Sequence, residues 1–571
     1  MEYLEKYKQW TTDSYFDEAT KKELLALNLD DIEVKDRFYK DLEFGTGGLR
    51  GVLGAGSNRI NIYTVRKATQ GLANYILKES GADKGVAIAY DSRRMSREFA
   101  DEAALCLNAN GIKAYVFESL RPTPELSFAV RELSCISGIV ITASHNPSDY
   151  NGYKVYWEDG AQITSPKDAL IIGEVNSISD YADVLTMNKD EAIEKGLYIQ
   201  IGKEIDDKYM AELKKLVTNP ILDEFKDMKI VYTPLHGTGN IPVRRILKEL
   251  GFTNVYVVPE QELPDPNFTT VGYPNPEDEK VFTLAKKLAD EVGANIILAT
   301  DPDADRLGVQ VRNKDGEFVL LNGNMSGALI AEYVFSQKAK NGTLAPNSAL
   351  IKTIVTGNMA DQIAKHYNAT LIEVLTGFKY IGEQIKSFEE TKSNEYVFGF
   401  EESYGCLVGT HARDKDAIVA CMILCEAAAY YMSQGLSLYD QMDNLYEMYG
   451  YFKEDLVSVT LKGIEGMEKI KNIMEDYRAN PPKTAGDYKV LKFRDYKADT
   501  ITDLITGEVT PTHLPKSDVL YFELENDAWC AIRPSGTEPK LKLYFGVKGD
   551  SKEDAAIKLN KLINDKVFDI K

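Results

Sequence analysis

The 571-residue chain is long enough for three or four domains of roughly 150 residues each. Its hydrophobic content of 44% supplies several buried cores. Its net charge of −21 excludes general binding to nucleic acid or to anionic membranes, which needs a basic footprint, so an anionic ligand must be held by local groups of Arg, Lys, backbone N–H or metal.

Residues 1 to about 40 are rich in Glu, Lys and Leu and read as surface helices. Phe44-Gly-Thr-Gly-Gly-Leu-Arg-Gly51 follows, a loop whose glycines let backbone approach a ligand and whose Arg50 can fork onto a phosphate. Short apolar runs at 86–90, 114–117 and 138–142 read as strands, with helical stretches at 94–110 and 123–133 between them. Beyond the third strand lies Thr142-Ala-Ser-His-Asn-Pro147, a turn that places Ser144 at an exposed tip beside His145, and Lys154 opens the next β-like run. A hydroxyl beside basic groups at a strand end suits a nucleophile with an acid/base partner.

The rhythm restarts near residue 205, with strands at 229–233, 255–258 and 295–300, the last running into Asp301-Pro-Asp-Ala-Asp-Arg306. Asp301, Asp303 and Asp305 repel one another unless a cation holds them, which predicts a hard-metal site. A calcium helix-loop-helix is excluded, because Arg306 and Arg312 stand where that motif needs Gly and Glu. A third round has strands at 350–355, 369–374 and 396–400, leading to Thr356-Gly357, Thr376-Gly-Phe-Lys379 and Glu401-Glu-Ser403. Three successive α/β units with mixed or mostly parallel sheets, each with a polar loop after a strand, predict a triplicated domain. From about residue 452 the runs at 456–461, 519–524, 529–532 and 540–545 read as antiparallel strands, and 552–565 as a last helix capped by Ser551. This is a smaller α+β domain, and its Arg533-Pro-Ser-Gly-Thr537 loop makes an anion nest. The expected limits are 1–204, 205–320, 321–452 and 453–571.

None of the six cysteines forms a Cys-x-x-Cys pair, so neither zinc nor a disulfide framework is signalled. No apolar signal core opens the chain, and the longest apolar run, 417–432, is broken by Glu426. A cytoplasmic, reduced location is the default expectation.

Thr142–Pro147, Asp301–Arg306, Gly399-Phe-Glu-Glu-Ser403 and Arg533-Pro-Ser-Gly-Thr-Glu538 together resemble the α-D-phosphohexomutase superfamily, in its order and over nearly the whole chain. The match looks closest to the bacterial phosphoglucomutase branch, similar to the phosphoglucomutase-2/phosphopentomutase group. The resemblance implies four domains around a central cleft and an intramolecular phosphotransferase. It implies that Ser144 carries the phosphoryl group and, with Asp301, Asp303 and Asp305, binds Mg²⁺. It implies that Arg50 and Arg306 flank the reacting phosphate, Lys154 is a general acid/base and His145 flanks the nucleophile. Glu401 and Ser403 would bind sugar hydroxyls, Thr376 and Gly377 would tell the sugar's ends apart, and Arg533, Ser535, Gly536 and Thr537 would grip the non-reacting phosphate. Some members carry a His four residues beyond the sugar-loop Glu. Here Gly405 stands there, and Lys379 is the expected second proton carrier.

The implied partners are sugar phosphates, with glucose 1,6-bisphosphate as activator or intermediate and a monomer or homodimer as the assembly. The implied reaction interconverts glucose 1-phosphate and glucose 6-phosphate. The alternatives are a phosphopentomutase for ribose or deoxyribose phosphates, a metal-dependent phosphatase, and a non-catalytic sugar-phosphate sensor.

Overall fold

The computed structural model describes residues 2–27, 32–45, 47–461, 463–535 and 540–568. These fall into two compact units, one of Met1–Ser326, Phe378–Gly399 and Ser403–Gly435, the other of Gly327–Gly377, Phe400–Glu402 and Leu436–Lys571.

The first unit opens with helices Glu2–Thr12, Glu18–Leu25 and Ile32–Phe38. They are more than a surface layer. Trp10, Phe16 and Phe38 are buried against Tyr63, and the Trp10 and Phe16 rings stack at 4.3 Å. Burying rings of this size removes about 2–3 kcal/mol of apolar exposure each, which anchors otherwise polar helices.

A six-stranded mixed sheet follows. Its spatial order is Gly48–Val52, Tyr150–Trp157, Ser137–Ile141, Val86–Tyr90, Ala114–Phe117, Tyr198–Ile201. The strands Val86–Tyr90 and Ser137–Ile141 are buried at every position, as continuous apolar runs predict for parallel strands covered on both faces. The glycine-rich segment expected as a loop is, from Gly48 on, a strand antiparallel to Tyr150–Trp157, pairing Arg50 with Gly152 and Gly48 with Lys154. Glycine serves contact here: a Cβ on Gly48 would lie 1.8 Å from the Tyr153 carbonyl oxygen.

The second sheet has five strands, in the order Phe318–Leu321, Leu307–Arg312, Ile296–Thr300, Ile230–Thr233, Val255–Val257. It repeats the plan of the first. A strand parallel to its inner neighbour (Ser137–Ile141, Ile296–Thr300) runs into a polar turn and returns antiparallel. The Ser144 and Asp301 loops are those two turns, both at the carboxyl ends of parallel strands. The apolar helix Ala417–Met432 is buried, and its Glu426 accepts hydrogen bonds from the Thr218 and Asn219 amides at 2.9 and 2.7 Å. Among the described residues no helix is long and apolar enough to cross a membrane.

In the second unit, Ser348–Thr353 and Thr370–Val374 pair in parallel. The C-terminal sheet is antiparallel, in the order Tyr451–Thr460, Lys540–Gly549, Trp529–Pro534, Leu520–Leu524, Tyr488–Asp495, Thr500–Asp503, Val509–Thr510. Helices Gly463–Ala479 and Lys552–Ile563 accompany it, the latter capped by Ser551, whose hydroxyl accepts from the Asp554 amide at 3.2 Å.

Candidate active site

Ser144 is not exposed, as the turn predicted, but 4% accessible. The reason is tertiary. The second sheet's acidic loop roofs the turn, and the Ser144 hydroxyl donates to Asp301 Oδ2 at 2.9 Å and lies 3.2 Å from His145 Nδ1. Its backbone is left-handed, with φ of 53°, a conformation that serine holds only when its surroundings fix it.

Asp301, Asp303 and Asp305 are buried and each offers a carboxylate oxygen within 4.8 Å of the others. Asp303 Oδ1 and Asp305 Oδ1 are buried with no hydrogen-bond donor among the described residues. Three hard oxygen donors, two of them unused, fit a divalent cation such as Mg²⁺. Burial, then the neighbouring Asp303 and Asp305, pushes the Asp301 carboxyl well above its ordinary pKa. Burial acts the same way on Asp305, but Lys415, Lys154 and Arg306 outweigh it and hold that carboxyl below the usual range.

Lys154 reaches the triad because its strand returns from the Ser144 turn, directly opposite Val140. Its Nζ is 2.8 Å from Asp303 Oδ2 and 3.4 Å from Asp305 Oδ2. Burial lowers its pKa, but these carboxylates overcome that and raise it, so the side chain is an ammonium. His145 is held neutral, its pKa well below the ordinary value through burial and the charges of Arg306 and Arg50. Its ring meets Tyr273 edge-on at 5.9 Å. Arg306 pairs with Glu277 at 2.7 Å, and Arg50 is exposed on the edge strand.

Two neighbours of the triad escaped the sequence reading. Lys415 lies 3.2 Å from Asp305 Oδ2 and 2.8 Å from Asp414 Oδ1. Its stem fills the space over Gly405, where a Cβ would lie 2.1 Å from Lys415 Cδ. Glycine at position 405 thus makes room for a lysine at the triad. Lys379, the expected second carrier, instead has Asp168 and Glu383 as its charged neighbours, and burial lowers its pKa. The other missed residue is Thr123, whose hydroxyl and amide donate to Asp303 Oδ2 and O at 2.8 and 2.9 Å. The charged run Arg413-Asp-Lys-Asp416 just before an apolar helix was the available signal for Lys415. Thr123 carried none. His236 is buried between the Leu263 carbonyl and Thr270 Oγ1.

The second unit carries other expected residues. The Gly377 amide donates to Glu401 Oε1 at 3.0 Å, and Thr376, beside it in sequence, is half-buried with its hydroxyl oxygen enclosed. Glu402 accepts from the Thr353 hydroxyl at 3.2 Å; burial raises its pKa, and the charges of Arg533 and Lys542 moderate that rise. Arg533 is half-buried and in register with Lys542, and the Ser535 amide donates to the Lys540 carbonyl at 2.8 Å. Gly536 and Thr537 lie outside the described residues. Ser403, in the first unit, is half-buried.

Residues 41–182, 207–316 and 322–449 match phosphoglucomutase/phosphomannomutase alpha/beta/alpha domains I, II and III, and 486–560 match the C-terminal domain of the same set. A phosphoglucomutase of Staphylococcus saprophyticus is 39% identical over 507 residues, covering 89% of this chain and 90% of the relative. The open form of the Paramecium phosphoprotein pp63/parafusin shares the fold, with a TM-score of 0.67 at 18% identity over 92% of this chain and 94% of that one. A phosphoglucomutase/phosphomannomutase family protein from Burkholderia thailandensis has a TM-score of 0.64 at 20% identity, over 91% and 95%.

Proposed function

The chain belongs to the phosphoglucomutase/phosphomannomutase family, and on that footing we propose that it interconverts α-D-glucose 1-phosphate and glucose 6-phosphate through a phosphoserine at Ser144. One observation carries this reading. The Ser144 hydroxyl, three buried carboxylates and two lysines form one hydrogen-bonded cluster at the ends of two parallel strands. Each of the four domains is taken to follow the limits expected from the sequence.

In the proposed reaction the C6 hydroxyl of glucose 1-phosphate attacks the phosphorus on Ser144. The new O6–P bond forms as the P–Oγ bond breaks. The hydroxyl proton passes to a second lysine, Lys415 or Lys379, acting as its free amine, and Lys154 Nζ donates to the departing Oγ. The resulting glucose 1,6-bisphosphate turns over. Ser144 Oγ then returns its proton to Lys154 and takes the phosphoryl as the P–O1 bond breaks, and the second lysine gives its proton to O1, releasing glucose 6-phosphate. Lys415, at the same carboxylates, is positioned to handle the proton at one end of this sequence. Lys379 is the alternative carrier. A Mg²⁺ held by Asp301, Asp303, Asp305 and the Ser144 oxygen would neutralise charge on the phosphoryl in transfer. Arg50 and Arg306 add fixed positive charge at the same place. Glu401, Ser403, Thr376 and Gly377 are assigned to the sugar, and Arg533, Ser535, Gly536 and Thr537 to the non-reacting phosphate.

The test is a coupled assay of glucose 1-phosphate conversion with Mg²⁺, with and without glucose 1,6-bisphosphate, beside the same assay on deoxyribose 1-phosphate. Bisphosphate-stimulated glucose 6-phosphate formation is expected, with Ser144→Ala below about one percent of it. Faster turnover of the pentose would replace the substrate, and neither activity would remove the enzymatic reading.

A further inference from the structure

The loop that carries Ser144 has no regular structure of its own, yet its carbonyls are held by one side chain. Arg93 lies just beyond the strand Val86–Tyr90, the parallel neighbour of the strand that leads into the loop. Its side chain is fully buried. Nη1 donates to the Pro147 and Tyr150 carbonyls at 2.8 and 3.1 Å. Nη2 donates to the Ser144 and Asn146 carbonyls. Nε faces Asp91 Oδ2 at 3.2 Å, and the guanidinium carbon sits 4.9 Å from the Phe268 ring centroid.

Asp91 completes the hold from the other side. Its Oδ2 accepts from the Thr142 hydroxyl at 2.7 Å, and Thr142 Oγ1 in turn accepts the Ser144 amide at 2.8 Å. The Ser144 carbonyl, amide and hydroxyl therefore each have a separate partner: Arg93, Thr142 and Asp301. This is the support a serine needs to stay left-handed. We propose that Arg93 is a positioning residue for phosphoryl transfer, whose guanidinium fixes four carbonyls of the 144–150 loop and so aims Ser144 Oγ at the acidic triad. The inference rests on the phosphoserine reading above.

Arginine is the side chain that fits this task. Its planar fork presents paired N–H groups on two nitrogens, so each nitrogen serves two carbonyls. A lysine keeps the charge but gathers its donors on one nitrogen, and it cannot reach all four acceptors. The loop must also keep its shape while Oγ carries the roughly −1.5 to −2 charge of a phosphate. A displacement of the nucleophile by about 1 Å is enough to slow transfer ~100-fold without loss of substrate binding.

The test uses full-length Arg93→Lys beside wild type. Two readouts are taken: kcat and KM for glucose 1-phosphate with Mg²⁺ and glucose 1,6-bisphosphate, and amide hydrogen exchange. Expected are a kcat lower by at least ~10-fold, a KM within ~3-fold, and exchange faster by ~10-fold at the Ser144, Asn146 and Tyr150 amides with the central strands unchanged. Unchanged exchange in the loop overturns the clamp. Faster exchange with wild-type kcat overturns its role in transfer. A wild-type protein that fails to turn over the sugar phosphate, with loop exchange still raised in the variant, refutes the proposed substrate and the transfer role together while leaving the clamp standing. If Arg93→Lys does not fold, Phe268→Leu decides, since it keeps the four hydrogen bonds and removes only the ring behind the guanidinium. A kcat reduced ~3-fold at constant KM supports the proposal, and an unchanged kcat overturns it.

Discussion

Replacing Lys415 by Met removes an ammonium but keeps most of the stem that packs over Gly405. The charge it removes is shared between Asp305 Oδ2 at 3.2 Å and Asp414 Oδ1 at 2.8 Å, with the three side chains 12%, 2% and 5% exposed. At an effective dielectric of about 20, those separations correspond to ~5 and ~6 kcal/mol of attraction. Desolvating the three ions offsets much of that, and losing one member of such a buried set costs ~3–5 kcal/mol, because two carboxylates are left without it. Lys415→Met should therefore melt roughly 5 °C below wild type in metal-free buffer. Asp414 also accepts from the Tyr156 hydroxyl at 2.7 Å, so adding Asp414→Asn should return part of the loss, as coupled neighbours do. Mg²⁺ should stabilise the single variant more than wild type, because the cation supplies charge beside Asp305. If Lys415 also moves the proton at one end of the reaction, kcat falls by ~100-fold or more. The assay pairs calorimetric melting with turnover of glucose 1-phosphate. A Lys415→Met protein that melts within about 1 °C of wild type, and turns over at its rate, would refute both the electrostatic and the catalytic argument.

Gly152→Ala places a Cβ 2.4 Å from the Thr142 carbonyl oxygen and 3.0 Å from that of Leu49. Backbone on both sides cannot yield cheaply, so stability should fall by ~1–3 kcal/mol and kcat with it, read by denaturant titration and the coupled assay. Glu125 is buried, and burial followed by Asp206 pushes its pKa well above the ordinary value. The stability this protonated carboxyl provides is complete below its unfolded pKa of about 4.3 and is lost as pH rises toward the folded value. Glu125→Gln cannot ionise, so it should equal wild type near pH 4 and gain up to ~1.4 kcal/mol per pH unit above that, seen as diverging melting temperatures; parallel curves would contradict it. Arg533→Ala should raise KM for glucose 1-phosphate by about 10-fold with little change in kcat, and an unchanged KM would argue against its place on the non-reacting phosphate.

The strands at Val86–Tyr90 and Ala114–Phe117 match their apolar runs to the residue, because a strand buried on both faces needs an uninterrupted apolar segment. The Ser144 and Asp301 turns were legible for the same reason: polar residues that interrupt such runs stand out. What pairs across distance did not stand out. Gly48–Val52 was read as a loop because the strand that makes it a strand lies a hundred residues on, at Tyr150–Trp157. Tyr488–Asp495 alternates charged and apolar residues at the sheet's far side and left no clear run. Ser144 was read as exposed because its cover comes from Asp301, 157 positions away. Lys415 was hidden inside a charged run that reads as solvated. In each case the missing information is a partner rather than a propensity. The same physics explains why Arg93, Asp91 and Lys415 could be missed at the heart of the site: with Lys154, Asp303 and Asp305 they are tolerable there only as a mutually neutralising set. Those three are not interpretable until the two sheets bring the others to them.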